Sequence, residues 1–136
     1  MNILVIDGQG GKLGCQMVRS IAEKYPSARL MAVGTNSAAA AAMAKAGAHQ
    51  AAAGENPLIV ACRKADIIIG PIGIVIADSL FGEITPAMAV AVAQSDAVRI
   101  LLPVNRCGNI VAGVQELSLT ALISDAMAKL EGVMQE

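Results

Sequence analysis

Short runs rich in Ile, Val and Leu recur along this chain, apolar throughout rather than alternating, and longer stretches of helical composition separate them. A strand that is apolar on both faces must be covered on both faces, and helices lying between consecutive strands supply that cover. The runs occupy residues 2–7, 29–34, 49–53, 66–70 and 98–104; 49–53 has the weakest pattern, and 109–113 is an optional sixth. Helical composition fills 11–24, 37–46, 57–64, 86–95 and 118–130, while the apolar segment 72–81 has no clear period. Asn36 or Ser37 caps the second helix and Gly47 stops it. Asn56-Pro57 and Thr85-Pro86 each read as an N-cap followed by proline at the first helical position. Right-handed crossovers then predict an α/β fold: a doubly wound, mostly parallel sheet of five or six strands with helices on both faces. No linker or low-complexity tail interrupts it, so residues 1–136 are expected to form one domain.

Composition restricts what such a fold does. Hydrophobic residues make up 55% and charged residues 15%, against about 25% charged in an average domain. Such a chain covers itself poorly with polar groups, and assembly into a homo-oligomer, a dimer or larger, is the natural remedy; a bulky ligand or partner chain would serve as well. A net charge of −1, with one Tyr, one Phe and no Trp, argues against nucleic acid as a partner. The longest apolar run, 67–77, is broken by Gly70, Pro71 and Gly73 and is too short to span a bilayer, so no membrane partner is expected. The chain enters a strand at its start without the basic region and apolar stretch of an export signal, so a cytoplasmic protein is expected. Cys15, Cys62 and Cys107 have no CxxC spacing and read as reduced thiols.

The stretch VIDGQGGKLG, residues 5–14, carries the most chemistry. A strand, a glycine loop and a helix in that order can turn backbone amides and a helix N-terminus toward a phosphate. The spacing matches the dinucleotide pattern G-x-G-x-x-G only if Gln9 stands for the first glycine. Asp7 sets a carboxylate beside the anion site, where it repels phosphate unless protonated, turned away or bridged. The second strand ends in Gly34-Thr35-Asn36, with neither the acid that holds a ribose nor an arginine for a 2′-phosphate. A phosphate cradle and a corner needed only for packing both remain open.

If the sheet is parallel, every strand-to-helix joint falls on one carboxyl rim, where ligands of such sheets bind. The cofactor-binding candidates are Gly8, Gln9, Gly10, Gly11, Lys12 and Gly14 on the first joint, Thr35 and Asn36 on the second, and Glu55 on the third. Gly70 and Gly73 lie on the fourth, and Asn105 and Arg106 on the last. Lys12 reaches a phosphate or sits in solvent; Glu55 accepts a ribose hydroxyl, acts as a base or simply starts a helix. Gly70-Pro71-Ile72-Gly73 forms a backbone nest or an apolar turn, and Arg106 forks onto an anion or onto an acid of the protein. Cys15 and Cys107 invite a nucleophile reading, although a buried structural role is the plainer one for Cys15. His49 opens the third strand, at the amino edge, away from the rim. The sequence contains no metal-ligand spacing, serine elbow or Walker lysine, so no catalytic set is identified.

The segments MNILVIDGQGGKLG, GTNSAAAAAMAKAGA, GENPLIV, ADIIIGPIGIVIADSLFGEITPAMA and ILLPVNRCGNIVAG together resemble a family of short bacterial proteins classed as a domain of unknown function. That resemblance implies a Rossmann-like fold and a stand-alone cytoplasmic protein, with no activity or cofactor to transfer. The residues point to a module that binds a nucleotide or another phosphate-bearing small molecule, such as NAD(P), an adenine nucleotide or coenzyme A, as a sensor or accessory protein. Two alternatives stand beside it: a small oligomeric enzyme that uses such a cofactor, with Asp7, Glu55, Asn105 and Arg106 at its rim, and a purely structural assembly protein.

Overall fold

The computed structural model describes every residue except Asn105 and Glu136. Its five strands are β1 (Asn2–Asp7), β2 (Arg29–Gly34), β3 (Gln50–Ala53), β4 (Ile67–Pro71) and β5 (Val98–Leu102). The helices are α1 (Lys12–Lys24), α2 (Ser37–Ala46), α3 (Glu55–Lys64), α4 (Pro86–Gln94) and α5 (Leu119–Met134). All strand pairs are parallel, in the order β3-β2-β1-β4-β5. This is the Rossmann-like order, in which the chain reverses direction across the sheet next to β1.

The unbroken apolar character of β1 has a direct structural cause. Ile3 and Val5 face a core shared with Met17 and Ile21 of α1, Met43 of α2 and Leu130 of α5. Leu4 and Ile6 face the opposite core, with Leu58 of α3 and Val92 of α4. All four β1 side chains are fully buried, each stabilising the fold by about 1.5–3 kcal/mol. By contrast, every residue of β3 is exposed at the sheet edge, which accounts for its weak signal.

Three sequence expectations need correction, namely the strand at 109–113, the end of β5 and the start of α3, and the segment without a clear period takes a definite form. Residues 109–113 form no strand: left-handed backbone at Cys107, Gly108 and Gly113 (φ 52°, 82° and 82°) brackets them with turns, and β5 already stops at Leu102, before Pro103. Helix α3 starts at Glu55 with Gly54 as its N-cap, so Asn56 is not the cap and Pro57 is the third helical residue. Proline is tolerated there because first-turn amides have no partner within the helix. Segment 72–81 is a 3-10 turn over Ile72–Val75 that continues into turns. Residues 76–85 form a strap between β4 and α4. Leu80 and Ile84 anchor it in the core beneath α3 and α4.

Candidate functional site

Because all five strands run the same way, the joints after them share one rim. At its centre β1 ends in Asp7, which is 3% exposed. One carboxylate oxygen of Asp7 accepts the Gly8 N–H at 2.8 Å and the other accepts the Gly14 N–H at 2.7 Å. The acid is thus turned inward and satisfies one first-turn amide of α1, as a capping side chain does. Burial raises its pKa above the ordinary 3.8; the two amide bonds oppose that rise, and the nearby charge of Glu83 adds to it.

The glycines divide by role. Gly11 sits at φ 75° as the N-cap of α1 and packs against the Ala39 backbone. A Cβ at Gly14 would lie 2.6 Å from Met43 Sδ and 2.7 Å from Asp7 Cβ, so this glycine permits the close helix-to-strand approach that the third glycine of a dinucleotide turn provides. Gly10 differs: a Cβ there would meet nothing within 4 Å. Among the described residues, the amides of Gly10, Lys12 and Leu13 have no hydrogen-bond acceptor within the chain. Three unpaired donors therefore flank the start of the 13-residue helix α1, with open space at Gly10.

Glu83, from the strap, closes directly onto the loop. Its Oε1 accepts the Gln9 N–H at 2.9 Å, the Thr35 hydroxyl at 2.5 Å and the Asn36 amide at 2.8 Å. Burial pushes its pKa up, but these three donors outweigh it and hold the carboxyl below the ordinary 4.5. Asn36 also caps α2 by accepting the Ala39 N–H and donates to the Gln9 carbonyl. The joints after β1 and β2 and the strap after β4 thus meet at one point. Glu83 was not among the sequence candidates. Its signal lay in the motif Gly82-Glu83-Ile84-Thr85-Pro86, an acid between a left-handed glycine and a helix cap.

The remaining candidates disperse. Lys12 is exposed at the start of α1. Glu55 accepts the Thr85 hydroxyl at 2.5 Å, tying the start of α3 to the cap of α4. Gly70 and Gly73 are buried; Gly70 lets the Ile6 carbonyl approach to 2.4 Å from where a Cβ would stand, and the Gly73 carbonyl accepts the Ser79 hydroxyl. Arg106 donates to Glu116 at 2.7 Å, and Asn105 lies outside the described residues. Cys15 is half-buried and Cys107 exposed. At the amino edge, His49 Nδ1 accepts the Leu30 N–H at 3.0 Å. A groove of about 520 Å3 between α3 and α4, lined by Cys62, Ser95 and Asp96 among others, includes no residue of the glycine loop. We place the site at the loop because unpaired donors, rather than concavity, select an anionic ligand. Among the described residues, no group of three or more His, Cys, Asp or Glu side chains is arranged to hold a metal ion, and no helix is long and apolar enough to cross a membrane.

An α/β protein with a glycine-rich turn at the centre of its rim is the class that fold and site define. Residues 2–135 match the family model for a domain of unknown function, DUF3842, and the chain belongs to that family. None of the curated proteins matches it. Among solved structures, the chain is similar to the dodecameric FMN-dependent UbiX-like decarboxylase of Escherichia coli O157:H7, at 13% identity over 95% of this chain and 94% of that one, with a TM-score of 0.48. A likeness that distant carries nothing about what this chain binds.

Proposed function

We propose that this protein binds a phosphate-bearing small molecule of the nucleotide class in the crevice between the glycine loop and the strap. The supporting observation is the set of unpaired amides at Gly10, Lys12 and Leu13 among the described residues, with open space at Gly10. A helix N-terminus with free N–H groups favours an anion, and Asp7, turned inward, leaves that set unoccupied. NAD(P), adenine nucleotides and coenzyme A all carry a suitable phosphate. A role as a sensor or accessory module accords better with the side chains than catalysis does. Asp7 has both oxygens engaged, Glu55 holds Thr85, and Arg106 holds Glu116. Homo-oligomer formation completes the reading, since Phe81 and Ile110 are 100% and 94% exposed on two crossovers that leave the same rim.

Thermal unfolding with AMP, ATP, NAD, NADP, FAD and coenzyme A at millimolar concentration tests the proposal. A ligand at a hundred times its Kd adds about 2.7 kcal/mol, a clear rise in Tm, and Gly10→Val should abolish the rise by filling the space before the amides. No shift with any compound would remove the binding reading.

A further inference from the structure

The carboxylate of Glu83 is held from three sides by one oxygen only. Gln9 N–H, Thr35 Oγ1 and Asn36 Nδ2 all donate to Oε1, and among the described residues Oε2 has no hydrogen bond. The tip of β2, Gly34-Thr35-Asn36, contains no acid and no arginine. In parallel sheets that bind dinucleotides, that tip decides how the sugar is read: an acid accepts the ribose 2′-hydroxyl, whereas an arginine takes a 2′-phosphate. Here the strap delivers a carboxylate to the same place from a different crossover.

We infer that Glu83 is the specificity residue of the crevice, its Oε2 accepting a sugar hydroxyl of the bound nucleotide and its charge excluding ligands phosphorylated at that hydroxyl. The inference rests on the nucleotide reading above. Three donors immobilise Oε1, so the second oxygen keeps a fixed direction, and an acceptor already in position loses little freedom on binding. An ionised carboxylate accepts hydrogen bonds and cannot donate one, which suits a hydroxyl and repels a phosphate. Among the described residues no basic side chain forms an ion pair with Glu83, and Arg106 is committed to Glu116. The amides of Gly10, Lys12 and Leu13 remain available for the ligand's 5′-phosphate, so Glu83 need not leave its donors.

Calorimetric titration of the full chain with AMP, 2′-deoxy-AMP, NAD and NADP tests this. Loss of one hydrogen bond to a charged acceptor should weaken 2′-deoxy-AMP about tenfold relative to AMP. Repulsion should weaken NADP by more than about tenfold relative to NAD. Glu83→Gln should bring NADP to within about threefold of NAD, while Gly10→Val should remove binding of all four. Equal binding of NAD and NADP by the wild-type chain, or unchanged discrimination in Glu83→Gln, overturns the inference and leaves the nucleotide reading standing. Absence of binding by all four ligands overturns the inference, and absence of binding by ATP, FAD and coenzyme A as well overturns both. If Glu83→Gln fails to fold, the wild-type NAD-to-NADP and AMP-to-deoxy ratios decide alone.

Discussion

Thr35 donates its hydroxyl to Glu83 across 48 residues of sequence, with 2.5 Å between the oxygens. This bond joins the tip of β2 to the strap that follows β4, and it draws both over the glycine loop. This meeting point therefore depends on three joints of the rim at once.

The two acids of the site should tilt stability in opposite directions as pH changes. Glu83 has a lowered pKa when folded, so its contribution is present above its ordinary 4.5 and is lost as pH falls through the lower folded value. Glu83→Gln should then cost about 1–2 kcal/mol at neutral pH and progressively less in acid. Asp7 has a raised pKa, so its ionisation reduces stability as pH rises from 3.8 through the higher folded value. The deficit of Asp7→Asn relative to wild type should shrink with rising pH. Urea unfolding of both variants between pH 3 and pH 7 reads the two slopes; parallel slopes would contradict the geometry.

Neighbouring glycines should respond differently to one added methyl group. Gly14→Ala forces a Cβ against Met43 Sδ and Asp7 Cβ, and overpacking of this kind costs about 1–3 kcal/mol. Gly10→Ala meets no atom within 4 Å and should be neutral or raise stability by about 0.4–1 kcal/mol through the unfolded chain. Chemical denaturation of the ligand-free protein compares them.

The thiols should react in order of access. Cys107 is exposed, whereas Cys62 is buried in α3 and burial pushes its pKa up to about 11. At neutral pH an alkylating reagent should label Cys107 well before Cys62, because the thiolate is the reactive form. Peptide mass spectrometry over a time course follows both sites, and simultaneous labelling would mean that the α3 core opens readily.

Assembly should depend on the rim crossovers. Light scattering at micromolar concentration is expected to give a native mass above the 13.8 kDa of one chain, and Phe81→Ser with Ile110→Ser should lower it while leaving far-UV dichroism unchanged. A wild-type monomer would remove the oligomer reading.

Much of the fold was legible because local rules decided it. Asn36, Thr85 and Ser118 accept from the Ala39, Met88 and Ala121 amides, as residues of their types at helix starts are expected to. The double-sided burial of β1 follows from its unbroken apolar run. What the sequence left hidden was non-local. Glu83 meets Gln9 across 74 residues, and no periodicity encodes that encounter. The start of α3 was misplaced because proline fits more than one position of a first turn. Residues 109–113 look like a strand in composition, yet Cys107 and Gly113 bend the chain on either side of them.

The strap has one further consequence. Asp78, Leu80 and Phe81 have φ of 64°, 56° and 56°, torsions that cost an L-residue roughly 1–2 kcal/mol each. Glu83 and the buried Leu80 and Ile84 hold the segment down against that cost, much as a catch holds a bent spring. Opening returns the torsional energy, so this stretch should breathe at a lower free energy than the sheet beneath it and exchange its amide hydrogens sooner than β1.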